Sequence, residues 1–367
     1  MRTQPEGNAV VYCQGAFGTT NGKTAHGLVR RTDRYRVLSV VDARYAGCDA
    51  GDVLDGKPCG IPICRSVRDA VTTTHASLSE SGAPTHLVVG LAPDGGRLPQ
   101  EARAEVREAL GFGLSVDSGL HDFLSEDLEL AWFAEQNGVR IRDVRKPPDR
   151  RDLHFFSGKI DEVDCLKVAL LGTDSAVGKR TTAWMLVDAL GASGRSVELV
   201  GTGQTAWMQG ASYSIVLDSL VNDFVAGEIE HAVWSAWNDV RPEAIIIEGQ
   251  GSLMNPAYPG GHEIIAAGRP DVMVLQHAPG RQEYDGFPGY PLHSLPVQIQ
   301  AVELLSGKPV VAITLNHENL TDEQLESAIS TIQAETGLPT CAPLKTGLEP
   351  ILEAVEAYFT ERPGNEE

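Results

Sequence analysis

The stretch Gly172–Thr182, GTDSAVGKRTT, lies between an apolar run and a run of helix-forming residues. That arrangement suits a phosphate. Backbone N–H groups of a small-residue loop converge on the anion, the helix N-terminus adds positive potential, and a lysine supplies a mobile charge. The candidate cradle comprises Gly172, Thr173, Asp174, Ser175, Ala176, Val177, Gly178, Lys179, Arg180, Thr181 and Thr182. Its spacing is Gly-x5-Gly-Lys-x-Thr, so it is longer than the common phosphate loop, and Arg180 stands where a Ser or Thr usually helps hold Mg²⁺. A guanidinium cannot ligate a cation. Thr181 or Thr182 would have to reach over instead, from a shifted register. The residues favour a phosphate or diphosphate bound without metal, as on an ester carrier such as coenzyme A, where nothing has to be hydrolysed.

The elements that would position this loop alternate. Ala9–Cys13 and Tyr35–Val41 read as strands around a Gly-rich turn and the helix-like KTAHGLVRR, and the second strand ends in Asp42. Such an opening is Rossmann-like. Thr85–Pro93 reads as a later strand, followed by a helix stopped at Gly111. Val144–Asp152, VRKPPDRRD, is a polar, Pro-rich break, and the expected domains are 1–150, a Rossmann-like α/β domain, and 151–367, a P-loop α/β domain. In the second, LKVALLG, AIIIEGQGS, DVMVLQH and PVVAITLN are continuously apolar strands, which implies a parallel sheet covered on both faces. Thr321 and Gln324 form a capping box for a helix that ends before Gly337. Ligands of such sheets sit at the carboxyl ends of the strands. Gly172, Glu248, His277 and Asn316 all lie just past expected strand ends, so they should share one crevice.

Composition narrows the partners. The formal net charge is −20, and only 8 of the 30 basic residues are lysine. Without a basic face, neither a nucleic acid nor an anionic membrane surface is an expected partner. The acidic, lysine-poor balance suits a halophilic source, where salt screens self-repulsion. No signal segment or membrane-spanning run is apparent, and the six cysteines make no CxxC pair, so a reducing cytoplasm is expected. The histidines show no paired ligand spacing, and no metal is expected. An N-terminal loop, Gly15–Thr24, places Lys23 and Thr24 at a helix start and could hold some anion. There is no full GxGxxG, however, and Asp42 alone does not define a dinucleotide site.

The loop resembles that of dethiobiotin synthetases. In that resemblance Glu248 matches an acid that assists the metal, and Asn316 sits where a base is often read. A wider resemblance spans nearly the whole chain. GKTAHGLVR, VVDARYAGCDAG, GLHDFLSED, GTDSAVGKRTTA, GTGQTAWMQG, DSLVNDFVAGEIE, IEGQGSLMNPAY and LQHAPGRQEYDGFPGYPL occur in this order. These blocks look like a two-domain P-loop family, long uncharacterised, whose members with an assigned activity are D-glutamate N-acetyltransferases. The family implies acetyl transfer from acetyl-CoA to the amine of D-glutamate.

That chemistry needs a base, and Glu248, His277 and Asp218 are candidates. It needs a cation for the substrate carboxylates, and Arg281 in the turn-rich loop with Tyr284 is the natural clamp. It also needs a donor to the thioester oxyanion, for which Gln204, Ser252 and Asn255 are available. The partners expected are a small amino-acid substrate and further copies of the chain in a homo-oligomer. Two alternatives remain: an ATP- and Mg²⁺-dependent ligase or kinase related to dethiobiotin synthetase, and a non-catalytic nucleotide-binding protein.

Overall fold

The structure, a computed structural model, describes residues 4–76 and 82–360. Two parallel sheets organise the chain, each in its own compact unit. The first sheet holds β1 (Gly7–Tyr12), β2 (Tyr35–Val41), β3 (Ile63–Cys64), β4 (His86–Val89), β5 (Ser115–Ser118) and β6 (Ile141–Asp143). Their order is β3-β2-β1-β4-β5-β6, the order of a Rossmann fold. Helix Gln100–Gly111 ends at the expected glycine. Its C-cap is Phe112, and Gly113 at φ +78 then turns the chain.

The second sheet holds β7 (Leu166–Gly172), β8 (Val197–Gly201), β9 (Tyr213–Ser214), β10 (Ala244–Glu248), β11 (Val272–His277), β12 (Val310–Leu315) and β13 (Thr340–Cys341). The order is β13-β12-β11-β7-β10-β8-β9. Every residue of β7, β10, β11 and β12 is buried. That burial is why these strands lack a polar face, and each fully buried Val, Leu or Ile contributes about 1.5–3 kcal/mol. The capping box of Thr321 and Gln324 opens helix Asp322–Thr336, and Gly337 closes it.

The division between units falls at Pro147/Pro148, with one excursion. Residues Gln204–Ala211 belong by packing to the first unit, although the sheet strands on either side of them, β8 and β9, belong to the second. Met208 is fully buried in the first unit's core. Gln209 donates to the carbonyls of Gly27 and Arg31 at 2.9 Å each, and Arg34 stacks 3.7 Å from the Trp207 ring centre. Among the described residues no helix is long and apolar enough to cross a membrane.

Candidate functional site

The carboxyl ends of β12, β11, β7 and β10 are neighbours in the sheet. Gly172, Glu248 and His277 are the last residues of β7, β10 and β11, and Asn316 follows β12 directly. The four positions expected to share a crevice are therefore brought to one sheet edge. The phosphate-type loop leaves β7 there and enters helix Lys179–Ala192. Gly178 is that helix's N-cap, with φ +107, a backbone state closed to other residues at low cost. It has no side chain to cap the helix, and a helix N-terminus of this kind suits an anion.

The loop is held from inside. Asp174 is fully buried. Its Oδ1 accepts from Ser175 N at 2.7 Å and Asn255 Nδ2 at 2.8 Å. Its Oδ2 accepts from Arg281 at 2.8 Å and Asp285 N at 2.9 Å. Ala176 has φ +52, an uncommon state for a residue with a Cβ. The carbonyls flanking it are both held: Ser175 O accepts from Arg281 at 2.8 Å and Val177 O from Asn316 Nδ2 at 2.9 Å. Arg281 and Asn316 thus fix the strained turn. Thr173 is buried, its N–H on Gln276 O and its hydroxyl 2.9 Å from His277 Nδ1.

These contacts engage two of the expected ligand-binding residues within the protein. Arg281, the expected clamp for substrate carboxylates, is bonded within the protein here. Besides Asp174 and Ser175 O, it donates from Nε and the other terminal nitrogen to Glu318 Oε2, at 3.2 and 2.7 Å. Burial works against its charge, but the Glu318 and Asp174 carboxylates more than offset that and raise its pKa. Asn316 is likewise engaged within the protein, since its Oδ1 accepts from Glu318 N at 2.9 Å while its amide holds Val177. In this arrangement it braces the loop.

The lysine and arginine of the loop behave differently. Lys179 is buried, and its Nζ donates to Asp174 O and Gly251 O at 2.7 Å each. Arg180 is half-buried, and its positive charge favours the ionised form of Glu248. Thr182 is bonded within the protein. Its hydroxyl donates to Gln276 Oε1 at 2.6 Å, where Thr314 also donates at 2.7 Å. Thr181 is half-buried beside it.

Glu248 is buried with its Oε2 accepting from Thr202 N at 2.9 Å. Burial raises its pKa, while Arg180, the Thr202 amide and Lys179 pull the other way. His277 is also buried, and burial pushes its pKa down to about 4. It is a neutral imidazole over the physiological range. Asp218 lies exposed in a 3₁₀ turn, Leu217–Ser219, that is tied to the sheet edge by Leu217 N on Thr202 O at 3.2 Å. Ser252 follows Gly251, the acceptor for Lys179, and its buried hydroxyl has no hydrogen-bond partner among the described residues. Tyr284 is buried and its hydroxyl lies 2.8 Å from His293 Nδ1. Gln204, a candidate donor to the oxyanion, belongs to the first unit, where it packs against Gly119.

In the N-terminal loop, Asp42 is buried and accepts from Phe17 N and Arg44 N at 3.0 Å each. It fastens its own loop. Thr24 is buried with its hydroxyl 2.9 Å from that of Thr205. Three parts of the second unit's site had no signal in the sequence: Gln276, Asp285 and Glu318. Their partners lie far along the chain, as with Arg281 and Asp174, 107 residues apart.

Fold and site together define a two-domain α/β protein, with a Rossmann-like unit and a P-loop unit whose loop lacks the usual metal-binding hydroxyl. Residues 154–352 match the family model described as a domain of unknown function, DUF1611_C, a P-loop domain. Residues 43–147 match its N-terminal counterpart, DUF1611_N, a Rossmann-like domain. The chain belongs to the DUF1611 family. It is 31% identical over 304 residues to a D-glutamate N-acetyltransferase of Tritonibacter scottomollicae, covering 81% of this chain and 88% of that one. It is 29% identical over 282 residues to a D-glutamate N-acetyltransferase of a Pseudoalteromonas species, covering 74% and 81%. The crystal structure of a DUF1611 family protein from Anabaena variabilis superposes with a TM-score of 0.86 at 31% identity, covering 96% of this chain and all of that one.

Proposed function

We propose that the protein is an N-acetyltransferase that moves the acetyl group of acetyl-CoA to the amine of D-glutamate. The observation that carries this reading is Arg180. It stands in place of the metal-ligand hydroxyl, and its charge acts on Glu248, the residue otherwise expected beside a metal. A guanidinium there favours binding of the donor's phosphates over their hydrolysis. The names of the two relatives support the amine, the acetyl group and the substrate.

The residues present fit such a donor. The uncapped first turn of helix Lys179–Ala192 and the buried Lys179 would hold its phosphates. The donor supplies a thioester, whose C–S bond breaks as the amine nitrogen bonds to the carbonyl carbon, leaving an amide and a free thiol. The ammonium must first lose a proton. Glu248 is the base in this reading, because burial raises its affinity for a proton while Thr202 N orients its carboxylate. His277, pushed down to about 4, is too weak a base to compete near neutrality and instead positions Thr173.

Mixing the protein with acetyl-CoA and D-glutamate is expected to release free thiol at a rate unaffected by EDTA. Absence of thiol release across a panel of amino acids would overturn the reading. So would substrate-dependent ADP formation from ATP that EDTA abolishes.

A further inference from the structure

Beside the phosphate loop the second unit carries a cleft of about 270 Å³. Met254, Pro256, Pro291 and Leu292 give it apolar walls, Tyr284 and Tyr290 give it aromatic ones, and His293 completes it. Both walls are tied to one carboxylate. Asn255, between Met254 and Pro256, donates to Asp174 Oδ1. Asp285, next to Tyr284, donates its N–H to Asp174 Oδ2. The segments that wall the cleft are therefore anchored to the phosphate loop. Its shape is set before any ligand arrives. Phe287 makes edge-on contacts with Tyr258 and Tyr290, at 6.1 and 6.4 Å between ring centres, and Tyr284 N donates to Tyr290 O.

The lining decides the occupant. It contains no Lys, Arg, Asp or Glu, and the Nδ1 of its one histidine faces the Tyr284 hydroxyl. An amino diacid carries two carboxylates and an ammonium, and such walls would leave all three unpaired, which is costly. A neutral chain of methylenes and amides meets no such penalty. Resting on the reading that the loop holds the donor's phosphates, we infer that this cleft receives the pantetheine arm of the acyl donor. The diacid must then approach the thioester from another side.

The test compares coenzyme A with 3′-phosphoadenosine 5′-diphosphate, which has the same phosphates and no arm, by calorimetry on the full chain. Wild-type protein is expected to bind coenzyme A at least ~10-fold more tightly than the armless nucleotide, as burial of a few methylenes implies. Leu292→Trp, which fills the cleft, is expected to abolish that difference and leave the nucleotide's affinity within ~2-fold. Tyr290 is 55% exposed, so Tyr290→Ala spares the fold and should narrow the difference by ~3-fold or more. Equal affinity of the two ligands for wild-type protein would overturn the inference while leaving the phosphate-loop reading intact. An equal loss of both ligands in the two cleft variants would do the same. If neither ligand binds, or if Lys179→Ala changes neither affinity, the phosphate-loop reading fails and the inference with it.

Discussion

Arg281 and Asp174 form a buried ion pair at 2.8 Å, with side-chain exposures of 7% and 0%. The pair joins the turn-rich loop after β11 to the phosphate loop after β7. Removing one member of such a pair leaves the other charge buried without compensation. Arg281→Ala is expected to lower the unfolding free energy by about 3–5 kcal/mol, read from a denaturant titration. Arg281→Lys should recover only part of this, because a point charge cannot reach Asp174, Ser175 O and Glu318 together. A stable Arg281→Ala variant that loses only affinity for the amine substrate would return Arg281 to the clamp role expected from its sequence context.

Glu248 separates activity from stability. Its folded pKa is raised by burial above the ordinary glutamate value. A raised carboxyl contributes stability below its unfolded pKa and loses it as pH rises, so at neutral pH the ionised form is a burden on the fold. Glu248→Gln keeps an oxygen for Thr202 N and removes that burden. Melting temperature should therefore hold or rise, while kcat falls by about 10²–10⁴-fold if Glu248 is the base. A drop in both, or unaltered kcat, would remove Glu248 from that role.

Much of this site was legible beforehand. Gly172, Glu248, His277 and Asn316 could be grouped because fully buried parallel strands read as unbroken apolar runs, and their ends are marked by glycine or a polar residue. The capping box at Thr321 and Gln324 was legible because it is local. The internal partners of Arg281 and Asn316 were not. Their partners are set by which loops meet over the sheet edge, and spacing along the chain carries no trace of that. The excursion of Gln204–Ala211 was hidden for the same reason, since the burial of Met208 says nothing about which of two cores encloses it.

His277 should make the fold acid-sensitive. Its pKa is pushed from 6.5 down to about 4 by burial. Between those values the unfolded chain binds a proton that the folded chain refuses, so stability rises with pH. The contribution is full above about 6.5 and is lost as pH falls toward 4. Denaturant midpoints measured across this window should slope upward in the wild type and more gently in His277→Gln. Identical slopes would mean that His277 titrates normally in the folded protein.

Gly227 reverses the usual rule for glycine inside a helix. It lies within helix Asn222–Val240, where alanine is ordinarily the better residue by about 1 kcal/mol. A Cβ at Gly227, however, would lie 2.0 Å from His154 O and 2.5 Å from the Phe155 carbonyl carbon. Neither atom can swing aside, because both are backbone. The segment is also pinned nearby, with His154 N on Glu228 at 2.7 Å and Ser157 N on Glu230 at 2.6 Å. Gly227→Ala must therefore displace either the helix or the segment that follows the unit boundary. It is expected to cost about 1–3 kcal/mol, the range for overpacking, despite the gain in helix propensity. An exposed control in the same kind of element, Gly191→Ala in helix Lys179–Ala192, has nothing within 4 Å of its new Cβ and should hold or gain stability. If both substitutions stabilise alike, the close approach of His154 to Gly227 is not a constraint on the fold.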